Sequence, residues 1–575
     1  MKSKYILASL FCLAAFSCSD DKSFEPAYTV SLEADENMTT NVDASQVFQT
    51  IDGFASSDAW DMDFIGKYWS NSNKEGIAKL LFSRNIDSKG RPEGIGLSMW
   101  RVNVGGGSSE QGDASGIPDK YERRVECFLN QDGSYNWSKQ VGQQYFMQKA
   151  KEYGCESFVL FTNTPPVWYT KNGLAFPTKG AYSNQDEDKN NLKDEHYEDF
   201  AEFLATVTKH FVDQGYNIPL ISPINEPQVD WRKTPGADAE QEGCSYTHEK
   251  TKILVTALND KLEEKGLATN ILLGEASRWE PIYTTNSGGY YSNLVDHYFN
   301  PDYKNYYNGN EEGKYYLGNL KHVPNILCAH SYHTDKTWSS LKTAREKAYE
   351  KAQQFGVELY QTEWSMLSTD YDNYENYDDA SYMDLALSMA RVLHHDLATA
   401  NVRSWSYWTS VSQERWSQKS RFYLIRVSAD GKDGEDYGDL HNNGVYATCK
   451  NLWVLGNYSL FIRPNFQRVA LNLPEESEEF FGSAYISPEK NRVVVVYTNL
   501  KSESIHIECG IQGLDGKEVV AVNQYTTSNA KDLKQEPDYL YNLNLSIPLL
   551  KPIHQQLLNQ LDMSKLHCHG LYRLQ

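Results

Sequence analysis

The sequence predicts an α/β fold, a (β/α)8 barrel with a side-attached antiparallel β-sandwich, on three observations. Eight strand-length apolar runs end in polar or aromatic residues and alternate with helical stretches. Two of those runs end in a glutamate, Glu226 and Glu363, and strand-end carboxylates so distant in sequence meet only in a closed or strongly curved sheet. Beyond Phe461 the pattern turns to alternation broken by turn signals such as 488–491 and 514–516, as antiparallel strands require.

Taken in order, the predicted barrel strands are 49–57 followed by Asp58, 96–104 with Arg101, and 157–162 leading to Asn163 and Trp168. The next are 219–225 with Asn225 and Glu226, 271–275, and 326–330 leading to Tyr332. The last two are 357–362 with Glu363 and 402–407 with Trp408. Helical patterns at 142–153, 196–214, 247–265, 341–354, 382–400 and 449–461 fill the gaps. Alternating segments at 467–473, 483–486, 492–498, 504–510, 517–525 and 541–547 supply the sandwich, completed by early strands at 29–32 and 47–51. The barrel is therefore expected over 51–461, inserted between sandwich segments 29–50 and 462–575.

The N-terminus reads as a targeting segment. Lys2 and Lys4 precede an apolar run at 5–16, and Ser17 stands before Cys18. This is the pattern of a bacterial lipoprotein signal of residues 1–18, with Cys18 lipidated and 19–28 a tether. The expectation is an exported protein, lipid-anchored to the outer membrane and exposed at the cell surface. The anchor is its only membrane contact, because no later run reaches the ~18 apolar residues of a spanning helix.

A formal net charge of −22 argues against nucleic acid, whose binding needs clustered Lys and Arg. The 39 Tyr and 13 Trp exceed what a core requires, and such rings suit stacking on sugars. The seven cysteines beyond the signal are scattered with no C-x-x-C, which excludes a zinc ribbon and a disulfide framework. Cys328, in an apolar run, reads as a buried small hydrophobe. His330 and His333 lie three apart on a strand and point to different faces, and the glycines at 105–107 lack the order of a phosphate-binding loop. His567 and His569 near the C-terminus have no further ligands nearby. No metal and no organic cofactor is expected.

At 219–228 an apolar strand ends in Asn225-Glu226, and Pro227 stops it. A carboxylate held there beside an amide suits general acid work on a sugar, although Asn-Glu-Pro also occurs in ordinary turns. The stretch from Glu358 to Ser365 repeats the design with Glu363.

The stretches Ile51-Asp-Gly-Phe-Ala-Ser-Ser-Asp58, Met99-Trp-Arg-Val-Asn103, Thr164-Pro-Pro-Val-Trp168, Ile221 to Gln228, Ala329-His-Ser-Tyr332, Gln361-Thr-Glu-Trp364 and Trp405-Ser-Tyr-Trp408 resemble glycoside hydrolase family 30. This is a retaining family of (β/α)8 barrels, and the likeness is nearest to bacterial endo-β-1,6-galactanase-type members. It implies that Glu226 is the acid/base and Glu363 the nucleophile, with Arg101, Asn225 and Tyr332 orienting the nucleophile or holding the sugar. Arg101 would keep Glu363 ionised, while burial and the Glu363 charge would keep Glu226 protonated. Trp168 and Trp408 would stack on sugar faces, and Asp58 or Asn163 would meet an axial O4. Asn163 stands where some members have Trp, and the tail from about 549 departs from the family's final strand.

The reading is a monomeric retaining endo-β-glycosidase acting on a polysaccharide or oligosaccharide, most of all on β-1,6-galactan side chains of arabinogalactan. β-1,6-Glucan and xylan stand as alternatives, the latter through Arg415, Lys419 and Arg421. A catalytically silent surface glycan-binding protein and an unrelated barrel enzyme are the other readings.

Overall fold

The computed structural model describes residues 34–119, 123–180, 189–284, 292–305, 309–367, 380–414, 419–429, 438–517, 519–536 and the backbone of 566–574. Cys18 and the rest of the signal, the tether, the strand expected at 29–32, Arg415 and the strand expected at 541–547 lie outside these residues.

The chain begins in a long strand, β1 (Glu36–Thr50), and then enters the barrel through β2 (Gly53–Ser56). The barrel continues with β3 (Met99–Asn103), β4 (Ser157–Phe161), β5 (Leu220–Ser222), β6 (Asn270–Ile271), β7 (Leu273–Ala276), β8 (Ile326–His330), β9 (Glu358–Glu363) and β10 (Ser404–Tyr407). All pairings within it are parallel. The bridge between Ser57 and Arg101 joins β2 to β3, and β10 pairs back onto β2, so the ring closes. β6 and β7 are one barrel strand interrupted at Leu272.

The strand expected at 49–57 is in fact two elements, because β1 turns out of the second sheet at Thr50 before the barrel starts at Gly53. Helices run over Val141–Glu152, Tyr197–Asp213, His248–Glu264, Trp338–Gln353, Tyr382–Ala398 and Lys450–Ser459, close to expectation. Two further helices, Asp61–Tyr68 and Asn71–Phe82, follow β2.

Side-chain alternation sets the site. Ala55, Met99, Val159, Leu220, Leu272, Cys328 and Tyr360 form one buried apolar cluster inside the barrel. Two residues further along their strands, on the same face, stand Arg101, Phe161, His330 and Thr362. Arg101, His330 and Thr362, with the Phe161 ring beside them, therefore sit directly above an apolar floor at the C-terminal mouth.

Beyond β10 comes a small sheet not expected from the sequence: β11 (Val411–Gln413), β12 (Ile425–Ala429) and β13 (Gly444–Thr448). The C-terminal part contains β14 (Gln467–Asn472), β15 (Phe480–Ile486), β16 (Arg492–Asn499), β17 (Ile505–Gln512), β18 (Val519–Ser528), β19 (Lys531–Gln535) and β20 (Leu566–Leu574). These join β1 in one hydrogen-bonded sheet ordered β17-β1-β14-β15-β16-β20-β18-β19. The expectation of a wholly antiparallel sandwich is corrected at one pair, since β1 runs parallel to β17. Its 15 residues, with two register shifts, let it pair on both edges. The segment containing His567 and His569, read as a tail, is strand β20 between β16 and β18. Val493, Val495 and Tyr497 of β16 face the core of this sheet, while Val494 and Val496 pack on the barrel's core. Alternation along one strand thus fixes the two units together.

Candidate active site

Glu226 and Glu363 are brought together at the barrel mouth. Glu226 follows β5 with a left-handed backbone (φ 44°), a conformation that is uncommon outside glycine, and its N–H donates to the Glu275 carbonyl at 3.0 Å. Glu363 ends β9. One oxygen of each, together with a ring nitrogen of His330, lie within 4.8 Å of one another. Glu363 is 6% exposed and receives Arg101 Nη1 at 2.7 Å and the Tyr332 hydroxyl at 2.9 Å.

Arg101 is fully buried, with its guanidinium carbon 3.7 Å from the Phe161 ring centroid. Its Nη2 donates to Asn225 Oδ1 at 3.3 Å and to Glu275 Oε2 at 3.4 Å. A guanidinium fork that reaches three groups orients all of them. Tyr332 is fixed through its neighbour Ser331, whose hydroxyl donates to buried Asp396 at 2.9 and 3.0 Å.

Sequence reasoning missed Glu275 and set His330 aside. His330 is wholly buried, with Nδ1 3.2 Å from Glu226 Oε1 and Nε2 2.9 Å from Glu275 Oε2. Burial alone would lower its pKa, but Glu363, Glu226 and Glu275 outweigh burial and push it up to about 10. Burial would likewise raise Glu275, yet Arg101, His330 and Thr362 hold it down at about 2. Burial raises Glu363 against the pull of His330 and Arg101. Three carboxyl groups share two cations, so the site is neutral when Glu226 and Glu363 together hold one proton.

The positioning of Glu275 depends on Gly274, which has φ 117°. A Cβ there would sit 2.1 Å from the Cys328 carbonyl oxygen, so only glycine allows β7 this close to β8. The Glu275 N–H then reaches Cys328 Sγ at 3.2 Å, and Cys328 itself is buried as expected.

A cavity of about 310 Å³ opens over the carboxylates, lined by Asn225, Glu226, Tyr332 and Glu363 and walled by Trp60, Trp408, Phe422 and Leu367. Trp60 and Trp408 meet edge to face at 4.9 Å. Arg123 and Gln241 also line the cavity; the Arg123 guanidinium lies 4.2 Å over Trp60 and donates to Gln241 Oε1 at 3.0 Å. Val411 and Ser412 of β11 complete the wall. Two features make such a space fit a sugar: flat apolar faces and convergent polar groups.

Not every expected residue faces this space. Asp58 has no exposed surface and is occupied by the Asn103 N–H at 2.9 Å and Gln143 Nε2 at 2.9 Å. Burial pushes its pKa up to about 7. It ties helix Val141–Glu152 to β3 rather than meeting a ligand. Trp168 packs against the barrel's core and donates to the Leu129 carbonyl at 3.2 Å, away from the cavity wall. Asn163 is 3% exposed, and neither of its amide atoms has a hydrogen-bond partner among the described residues. Lys419 and Arg421 donate to the carbonyls of Ala380 and Met366, holding loops instead of forming a basic subsite.

Comparison with known proteins places these features in a family. The model of O-glycosyl hydrolase family 30 matches residues 37–420. An endo-β-1,6-galactanase of Hypocrea rufa is 26% identical over 274 residues, covering 45% of this chain and 53% of that protein. An exo-β-1,6-galactobiohydrolase of Bifidobacterium longum is 26% identical over 195 residues, 28% of this chain and 12% of its own length. The match thus spans about half of the first relative and a small part of the second. A crystal structure of a conserved exported protein from Bacteroides fragilis superposes with a TM-score of 0.77 at 29% identity, covering 93% of this chain and all of that one. With a family model matched over most of the chain and a barrel carrying paired carboxylates at its mouth, the chain belongs to O-glycosyl hydrolase family 30.

Proposed function

We propose that this enzyme cleaves β-1,6-galactan, as an endo-acting hydrolase, by a retaining double displacement with Glu363 as nucleophile and Glu226 as acid/base. The observation that carries the mechanism is the approach of Glu226 and Glu363 oxygens to within 4.8 Å. Retention needs carboxyl groups about 5–5.5 Å apart, whereas inversion leaves room for water at about 6.5–9.5 Å.

Glu226, as the acid, delivers a proton to the glycosidic oxygen. Glu363, oriented by Arg101 and Tyr332, attacks the anomeric carbon. Its charge disappears in the ester, and Glu226, now an anion, takes a proton from the water that releases the sugar. Trp408 and Trp60 supply the apolar faces against which the ring is held.

The substrate reading is supported by the names of both curated relatives, which act on β-1,6-galactan. Neither Asn163 nor Asp58 lines the cavity, so both are withdrawn from the role of meeting an axial hydroxyl. The expected result is release of short β-1,6-galacto-oligosaccharides from de-arabinosylated arabinogalactan, with weak action on β-1,6-glucan and xylan in the same reducing-end assay. Equal rates on either alternative would overturn the substrate choice.

Export is supported by the likeness to a conserved exported protein, and no described helix is long and apolar enough to cross a membrane. A lipid anchor at Cys18 predicts that Cys18→Ala moves the protein from the membrane fraction to the soluble one. Mass spectrometry of the mature N-terminus checks it, and an unmodified chain starting elsewhere contradicts it. The protein acts as a monomer in this reading.

A further inference from the structure

We propose that Glu275 is a positioning residue whose carboxylate keeps His330 doubly protonated, so that His330 steadies Glu226 as an anion in the second half of the reaction. The inference rests on the retaining reading above.

The geometry assigns Glu275 to this purpose. Both its oxygens are buried, and Oε2 receives His330 Nε2 at 2.9 Å, the Thr362 hydroxyl at 2.7 Å and Arg101 at 3.4 Å. The His330 ring is therefore clamped on one side, and its other nitrogen faces Glu226 at 3.2 Å. Around it stand Glu363 at 3.7 Å from Nδ1, the Tyr332 ring at 5.7 Å, Cys328 below on the same strand, and Arg101 across Glu275. The Glu275 carbonyl also accepts the Glu226 N–H, so one residue sets both the backbone of Glu226 and the charge facing it.

Charge balance says why the catalytic cycle uses this pair. Before the first step the cations Arg101 and His330 face the anions Glu275 and Glu363, while Glu226 is neutral. In the glycosyl-enzyme Glu363 is an uncharged ester, and Glu226 has given its proton to the leaving group. The anions are then Glu275 and Glu226, facing the same two cations. His330 keeps both protons throughout, and the proton of the attacking water goes to Glu226. Neutrality holds in both halves only while the Glu275–His330 pair stays ionised, and buried charge is costly when unpaired.

Glu275→Gln keeps the shape and removes the charge. With an activated aryl β-galactoside, glycosyl-enzyme should accumulate: kcat falls about tenfold, KM falls with it, and kcat/KM barely moves. Loss of the anion makes the imidazolium easier to deprotonate, so the alkaline limb of kcat moves to lower pH by about 1–3 units. Glu275→Asp, which keeps the charge, should restore the alkaline limb. In the wild-type chain, nitrogen NMR of labelled histidine should show both His330 nitrogens protonated at about pH 8, well above the ordinary histidine range. The His330 signal is identified by its loss in His330→Gln. A folded Glu275→Gln with an unchanged alkaline limb, or a singly protonated His330 in the wild type, overturns the proposal. Failure of the retaining reading has a different sign, namely the α-anomer as first product of the wild-type enzyme.

Discussion

Glu363→Ala is expected to lower turnover by about four orders of magnitude or more, at least ~5.5 kcal/mol of barrier, while leaving the barrel folded. The side chain makes two strong bonds, from Arg101 at 2.7 Å and Tyr332 at 2.9 Å, but its removal also relieves a crowded cluster of three carboxyl groups. Stability should therefore change far less than activity. Glu226→Ala should differ in kind. A substrate with an activated phenol leaving group needs little proton donation, so its first step survives and release of the sugar becomes limiting. Azide enters the space vacated by Glu226 and should restore turnover, giving a β-configured glycosyl azide. The two variants are checked by steady-state rates on natural and activated substrates, and near-normal activity in either removes that residue's assignment.

Arg101→Met should cost both stability and activity. Arg101 is 1% exposed and faces Glu275 and Glu363 at 3.4 and 2.7 Å. Removing one partner of a buried ion pair leaves charge uncompensated, a loss of about 3–5 kcal/mol that urea unfolding would measure. Without the guanidinium, Glu363 retains a proton, and turnover should drop about a thousandfold through loss of the nucleophilic anion. Arg101→Lys should recover part of the stability but little activity, since one ammonium cannot reproduce the fork to Asn225, Glu275 and Glu363. A Met variant as stable as wild type would contradict the ion-pair account.

The barrel strands were legible because each is a short apolar run with a polar end, and Glu226, Glu363, Arg101, Asn225, Tyr332 and Trp408 lie where strand ends meet. Asp58 carries the same strand-end signal yet serves packing. Its partner Gln143 sits on a helix 85 residues away, and no local pattern shows that contact. Glu275 also ends a strand-like run, but its aim depends on Gly274 and on a carbonyl of the neighbouring strand, which sequence spacing does not reveal. The spacing of His330 to His333 says nothing of its partners, which are three carboxylates from three other strand ends. β20 pairs between β16 and β18 after a long gap in sequence, and β11 is three residues long, too short for alternation to register. For Asp58, Glu275, His330 and β20 the missing information was long-range contact, not local propensity.

The anomeric configuration of the first product tests the central claim most directly. Proton NMR during the first turnovers on a β-1,6-galacto-oligosaccharide should show the β-anomer appearing first, with the α-anomer growing only as the sugar mutarotates. Initial appearance of the α-anomer would mean single displacement by water, contradicting Glu363 as the nucleophile.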